Sequence, residues 1–316
     1  MVGRSVGIVG AGSVGATAAY SLAMMGICHR VILYDIVTNV AKGKAIDIGQ
    51  STCYSPQGTV VTAAESASDL KDCDVIVITA GVPRKSDMTR ADLLMINAGI
   101  MKDVVGNIKK YSPNAVILCV SNPLDVMTYV VQKLIGWDRS KVIGMAGALD
   151  GARMAYEIHK KVGYGSGQTR AMILGEHGQH MIPYPEISAV GGVPLDQLIS
   201  KKDMEKIIAR TREGGAEIVK HLGTSAYYAP GRSVSVMVEA ILDDSRIVMP
   251  SSVVLDGEYG YNDVAVGVPI VLGVKGVHEI IELNLDEGMQ AKFKESVAAI
   301  RENIEVLNLK GFFEKE

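Results

Sequence analysis

A chain of 316 residues exceeds what one hydrophobic core usually absorbs, and 48% hydrophobic content can fill two, so a folded, two-lobed protein is expected. A formal net charge of -3 and a pI near 6.1 leave no basic excess for tracking a phosphate backbone, which excludes nucleic acid as a natural partner. No apolar run approaches the ~18 residues of a membrane span, and the chain enters a strand directly after Met1-Val2-Gly3-Arg4, without room for a secretory leader. A soluble, cytoplasmic protein with no membrane partner is therefore expected. Cys28, Cys53, Cys73 and Cys119 lie far apart without C-x-x-C spacing and read as reduced core or near-surface thiols. No His/Cys/carboxylate cluster has ligand spacing, so no metal is expected.

In chain order, short β-branched runs at 6–9, 31–34, 60–62, 75–78 and 115–118 alternate with helix-like apolar spacing at 13–27, 40–52, 89–110 and 123–136. Continuously apolar strands suit a sheet covered on both faces, and the alternation predicts a Rossmann-type, doubly wound parallel sheet over residues 1–146. Past Val142-Ile143-Gly144-Met145 the texture changes. A helix at 148–162, a strand near 171–174, a Gly191-Gly192 turn between strand-like stretches and helices at 203–221 and 226–242 lead to β-rich runs over 247–274. Turn signals at Asp256-Gly257 and Gly260 make that last stretch an antiparallel meander, and a helix at 286–309 follows. Residues 147–316 thus read as an α+β catalytic domain rather than a second copy of the first.

Gly10-Ala11-Gly12-Ser13-Val14-Gly15 leaves a strand and opens a helix, the context that makes a G-x-G-x-x-G run informative. Gly10 can make the tight turn, Gly12 can let backbone approach a pyrophosphate, and Gly15 can let the helix pack closely. Asp35 ends the second strand about 20 residues further on, where a carboxylate accepts hydrogen bonds from a ribose and repels a 2′-phosphate. Ile36-Val37 offers no compensating cation, so NAD is preferred to NADP.

The polar loop 79–90 follows a parallel strand, the end at which open α/β sheets bind ligands, and it carries Arg84 and Arg90. Asn122 lies just past the next apolar strand. Asp150 and Arg153 are three apart on one helix face, and His177 is flanked by glycines in Gly175-Glu176-His177-Gly178. A histidine, a carboxylate able to orient it and three arginines at element ends form a usable catalytic set.

These segments resemble the lactate/malate dehydrogenase family, and within it the malate dehydrogenases whose sequences look like lactate dehydrogenases. The likeness includes the Gly10–Gly15 fingerprint, Asp35, loop 79–90, Ser121-Asn122-Pro123, Leu149-Asp150-x-x-Arg153 and Gly175-x-His177-Gly178. Later stretches, Ser225-Ala226-Tyr227-Tyr228 and Val266-Gly267-Val268-Pro269, extend it over essentially the whole chain. The resemblance implies hydride transfer between NAD and a small 2-hydroxy acid, with malate and oxaloacetate as the substrate pair. By the resemblance His177 is the general base, Asp150 its orienting carboxylate, Arg153 the clamp on the C1 carboxylate and Arg90 the group that polarises the keto oxygen. Asn122 would touch substrate and nicotinamide, with Asn97, Val120 and Ser121 lining the cofactor. Arg84 would pair with the second carboxylate of malate, where lactate dehydrogenases usually have an uncharged residue. A homodimer or tetramer is implied as well. The alternatives are an L-lactate dehydrogenase and a catalytically silent NAD-binding sensor.

The chain departs from relatives at two places. Lys85-Ser86-Asp87 replaces a common Lys-Pro-Gly, which changes the loop's accessible backbone angles and adds a negative charge. Gln179-His180 stands where relatives usually carry Asp after His-Gly, removing one charge near the base and adding a titratable ring.

Overall fold

The computed structural model describes residues 4–82 and 88–314. The first half alternates as read: β1 (Ser5–Val9), α1 (Ser13–Met25), β2 (Arg30–Tyr34), α2 (Thr38–Thr52), β3 (Val60–Ala63), β4 (Val75–Ile78), α3 (Arg90–Tyr111), β5 (Val116–Cys119), α4 (Leu124–Ile135) and β6 (Val142–Gly144). The strands are parallel in the order β3-β2-β1-β4-β5-β6, the doubly wound arrangement whose order reverses beside β1. β1, β4 and β5 are buried along their whole length, which their continuous apolar runs require. β3 differs: it is the edge strand, its residues alternate between exposed and half-buried, and Val60 faces solvent.

The second half comprises α5 (Ala146–Val162), β7 (Thr169–Arg170), β8 (Ile173–Gly175), β9 (Met181–Pro183), β10 (Ala189–Val190), β11 (Val193–Pro194), α6 (Lys201–Leu222), α7 (Tyr228–Leu242), β12 (Ile247–Asp256), β13 (Asn262–Gly273), β14 (Gly276–Ile280) and α8 (Glu287–Leu309). β12 and β13 form the antiparallel pairing expected over 247–274, β14 extends it beyond that range, and Gly191-Gly192 turns β10 into β11 with both glycines at positive φ. Strands β11-β10-β7 make a small separate sheet.

Two lobes do not produce two independent cores. β12 pairs antiparallel with β6 at Ser252 and Gly144, so the parallel sheet continues through β12 and β13 to β8 and β9. Gly144 permits this junction, because a Cβ there would meet Leu124 Cδ2 and Ser252 Cβ at 2.8 Å each. One large apolar cluster accordingly runs from Val6 to Leu307, with a smaller one around Met154, Ile173 and Leu195. α7 also lies directly on α1: a Cβ at Gly231 would be 2.6 Å from Thr17 Cγ2, and Ser21 and Ser235 hydroxyls meet at 2.8 Å. These contacts set the geometry between the glycine-rich turn and the second half.

Cys28, Cys73 and Cys119 are buried and Cys53 is exposed, all as free thiols. No helix among the described residues is long and apolar enough to cross a membrane.

Candidate active site

The glycine-rich turn shows why each glycine is needed. Gly10 has φ +105°, and a Cβ there would lie 2.7 Å from Ala80 N and Thr79 Oγ1. Thr79 Oγ1 donates to Gly10 O at 2.9 Å, tying β4 to the turn. A Cβ on Gly15 would overlap the Gly10 carbonyl oxygen, whereas one on Gly12 would meet nothing within 4 Å. Gly12 caps α1 with no side-chain hydrogen bond and no acidic residue in the first turn, so the helix's leading N–H groups and positive dipole end remain available to an anion. Asp35 stands beside this turn at the end of β2, Oδ2 accepting from Ala11 N and Oδ1 from Val37 N, both at 2.8 Å. An open approach at Gly12, uncapped amides and a carboxylate at the strand end fit a dinucleotide.

Two crossing loops form the next wall. Ser121 Oγ donates to Ala80 O at 2.6 Å. Asn97, buried on α3, accepts from Val82 N at 2.9 Å and donates to Asn122 O at 2.8 Å. Its amide is engaged by backbone on both sides, so its influence on the cofactor wall acts through the loops it joins. Val14, Val120 and Asn122 face one cleft with Arg153 and His177, and the cleft has a volume of about 310 Å³.

At the cleft floor, α5 presents Asp150 and Arg153 one turn apart, and the loop after β8 brings His177 to them. His177 Nδ1 lies 2.7 Å from Asp150 Oδ2, and Arg153 Nη1 donates to Asp150 Oδ1 at 2.9 Å. Asp150 is only 1% exposed, so both interactions sit in a low-dielectric environment. Burial pulls the His177 pKa down, but attraction to Asp150 and its hydrogen bond outweigh this and hold it above the ordinary imidazole value. With Nδ1–H donated to Asp150, Nε2 is the nitrogen left for proton transfer.

The structure thus brings together His177, Asp150, Arg153, Asn122, Val120 and the glycine-rich turn. Arg90 is the first residue of α3, behind a capping box between Thr89 and Asp92, and is exposed rather than part of the cleft lining. Arg84, with Lys85, Ser86 and Asp87, lies outside the described residues. Gln179 lines the cleft, while His180 is exposed and its backbone N–H donates to Glu176.

Sequence reasoning missed two contributors. Asp125, near the start of α4, is 2% exposed and accepts the His177 backbone N–H at 2.7 Å. Its signal was available: it is the one charge between Val116 and Val131. Gly214 and Gly215 on α6 pack against Arg153, and a Cβ at Gly215 would be 3.2 Å from Arg153 Nη2. A glycine pair within a helix signals close packing, but the sequence does not say against what.

Residues 4–144 match the model of the lactate/malate dehydrogenase NAD binding domain, and residues 147–309 match that of the lactate/malate dehydrogenase alpha/beta C-terminal domain. The chain belongs to the lactate/malate dehydrogenase family. It is 54% identical to the malate dehydrogenase of Sulfurimonas denitrificans over 314 residues, 99% of this chain and 98% of that one. The solved malate dehydrogenase of Salinibacter ruber superposes with a TM-score of 0.93 at 38% identity, covering 99% of this chain and 100% of that one. A Cryptosporidium parvum lactate dehydrogenase, solved with lactic acid and nicotinamide adenine dinucleotide, gives 0.92 at 34% identity, covering 98% of this chain and 99% of that one. Backbone similarity across the family therefore does not separate the two substrates; side chains must.

Proposed function

We propose that this chain is an NAD-dependent malate dehydrogenase that interconverts (S)-malate and oxaloacetate. The observation that carries the chemistry is the line Arg153–Asp150–His177, centred on the buried Asp150, at the floor of a cleft that also reaches Asn122, Val120 and Val14. When bound, NAD supplies the hydride acceptor for oxidation and the donor for reduction. Gly10, Ala11, Gly12, Ser13, Val14 and Gly15 would hold its pyrophosphate and Asp35 its ribose, with Asn97, Val120 and Ser121 forming or bracing the adjoining wall.

His177 Nε2 would take the hydroxyl proton of malate in oxidation and return it in reduction, the imidazolium being stabilised by Asp150. Arg153 would grip the C1 carboxylate through paired N–H groups, a geometry that guanidinium provides and ammonium does not. Arg90, at the start of α3, would polarise the keto oxygen. Arg84 would pair with the second carboxylate. Lactate offers only a methyl group there and would leave a guanidinium unpaired, at a cost of about 3–5 kcal/mol in a closed site. The malate dehydrogenase names carried by relatives at up to 54% identity support the same choice.

The division at 1–146 and 147–316, a cytoplasmic setting and assembly as a homodimer or tetramer belong to this proposal; the two family-model spans support the first. The test is NADH oxidation followed at 340 nm with oxaloacetate and pyruvate side by side. A kcat/KM for oxaloacetate at least about a hundredfold above that for pyruvate is expected, from the low end of the unpaired-charge cost. A preference for pyruvate would make the chain a lactate dehydrogenase. NADH binding without turnover of either acid would support the silent sensor.

A further inference from the structure

Asp125 is a buried carboxylate that the mechanism above leaves unused. It belongs to α4, in the cofactor-binding half, yet its Oδ2 accepts the backbone N–H of His177 from the other half at 2.7 Å. His177 is therefore held twice, through its ring by Asp150 and through its backbone by Asp125, two carboxylates that are 1% and 2% exposed. A neutral amide or a backbone carbonyl would satisfy a lone N–H equally well. Burying a carboxylate for that purpose carries a large desolvation penalty, so its charge calls for a reason of its own.

Burial pushes the Asp125 pKa up to about 6, while the His177 N–H and the His177 ring pull it down and Glu176 pushes it up; Asp125 Oδ1 and the nearby Ser252 hydroxyl on β12 make no hydrogen bond among the described residues. Its place in the first turn of α4 also favours the ionised form. Above its own pKa Asp125 is an anion beside the base. Among the described residues, Asp150 and Arg153 on α5 and Asp125 on α4 act on His177, Arg212 on α6 lines the same cleft, and the Asp125 charge favours the protonated ring.

We propose that Asp125 is a positioning residue for catalysis, fixing the His177 backbone from the cofactor side and stabilising the His177 imidazolium with a second buried negative charge. The proposal rests on His177 being the proton-transfer group. It gives the cofactor half a direct hold on the base, only three residues from Asn122 on the same loop and helix start.

Asp125→Asn retains an acceptor for the N–H and removes the charge. Oxaloacetate reduction needs protonated His177, so kcat/KM falls above its pKa. In the variant this alkaline fall should move down by about 1 unit, the lower end of the effect of a nearby opposite charge. That displacement means up to a tenfold loss at a fixed pH on the alkaline limb, and Asp125→Glu should return the limb towards its parental position. NADH affinity and melting temperature, measured on each protein, report the structural consequences separately. If Asp125→Asn lowers kcat without moving the limb, Asp125 is only a backbone tie and the proposal is overturned.

Should Asp125→Asn fail to fold, Asp125→Ser decides: its hydroxyl oxygen can accept the N–H without a charge, so the alkaline limb should again move down by about 1 unit, and an unmoved limb overturns the proposal. Parental activity that survives His177→Asn with the same alkaline limb would instead defeat the functional reading itself, independently of Asp125.

Discussion

Asp150→Asn removes one charge while preserving shape, and the structure states what that charge supports. The carboxylate is 1% exposed and takes two charge-assisted contacts, from His177 Nδ1 at 2.7 Å and Arg153 Nη1 at 2.9 Å. Its loss destabilises imidazolium and leaves Arg153 without its intramolecular counter-ion until substrate arrives. Breaking such a buried pair costs about 3–5 kcal/mol, or roughly two to four powers of ten in rate when the stabilisation is used in the transition state. Stopped-flow single turnover of the NADH-loaded enzyme with oxaloacetate measures this step apart from product release. The pH dependence of stability gives a second readout. The folded His177 pKa is raised, so its protonation contributes stability that is fully present below the unfolded value of about 6.5 and is lost as pH rises through the folded value. Melting temperatures of parent and variant should therefore differ more at pH 6 than at pH 9. A single-turnover rate within tenfold of the parent, with parallel melting curves across pH, would refute the role given to Asp150.

Arg84→Gln should shift the ratio of kcat/KM for oxaloacetate over pyruvate towards pyruvate by about two powers of ten or more; an unchanged ratio removes Arg84 from substrate selection. Gly15→Ala forces a Cβ against the Gly10 carbonyl oxygen, so the turn must shift. Overpacking of about 1–3 kcal/mol predicts NADH binding weaker by roughly tenfold or more, measured by fluorescence titration. In thiol titration of the native enzyme, exposed Cys53 should react quickly. Burial holds the thiols of Cys28, Cys73 and Cys119 at about 12, 11 and 12, so these should react only on unfolding. Four fast thiols would contradict the packing described for β5 and the strand termini.

What could be read along the chain was whatever is encoded locally. β-Branched runs announce strands, pairs such as Asp256-Gly257 and Gly191-Gly192 announce turns, and Gly10–Gly15 with Asp35 announces a cofactor end, because each depends on residues within a few positions or a fixed spacing. Asp150 and Arg153 share a face by helical period alone. The edge position of β3 was hidden, since Val60-Val61-Thr62 looks like any other apolar run and strand order is a property of the whole sheet.

Tertiary structure alone decided the contacts between residues distant in sequence. It joined β6 to β12 and so merged two expected cores into one continuous sheet, and it turned Gly214-Gly215 towards Arg153. It also engaged the Asn97 amide with the backbone of Val82 and Asn122, and set Asp125 against the backbone of His177. Periodicity reports which face of an element is buried, but not which partner covers it. The partner is chosen when chain closure and packing bring remote segments together. The chemistry of the site was therefore legible in its residue types, while the means of holding His177 in place emerged only from the packed fold.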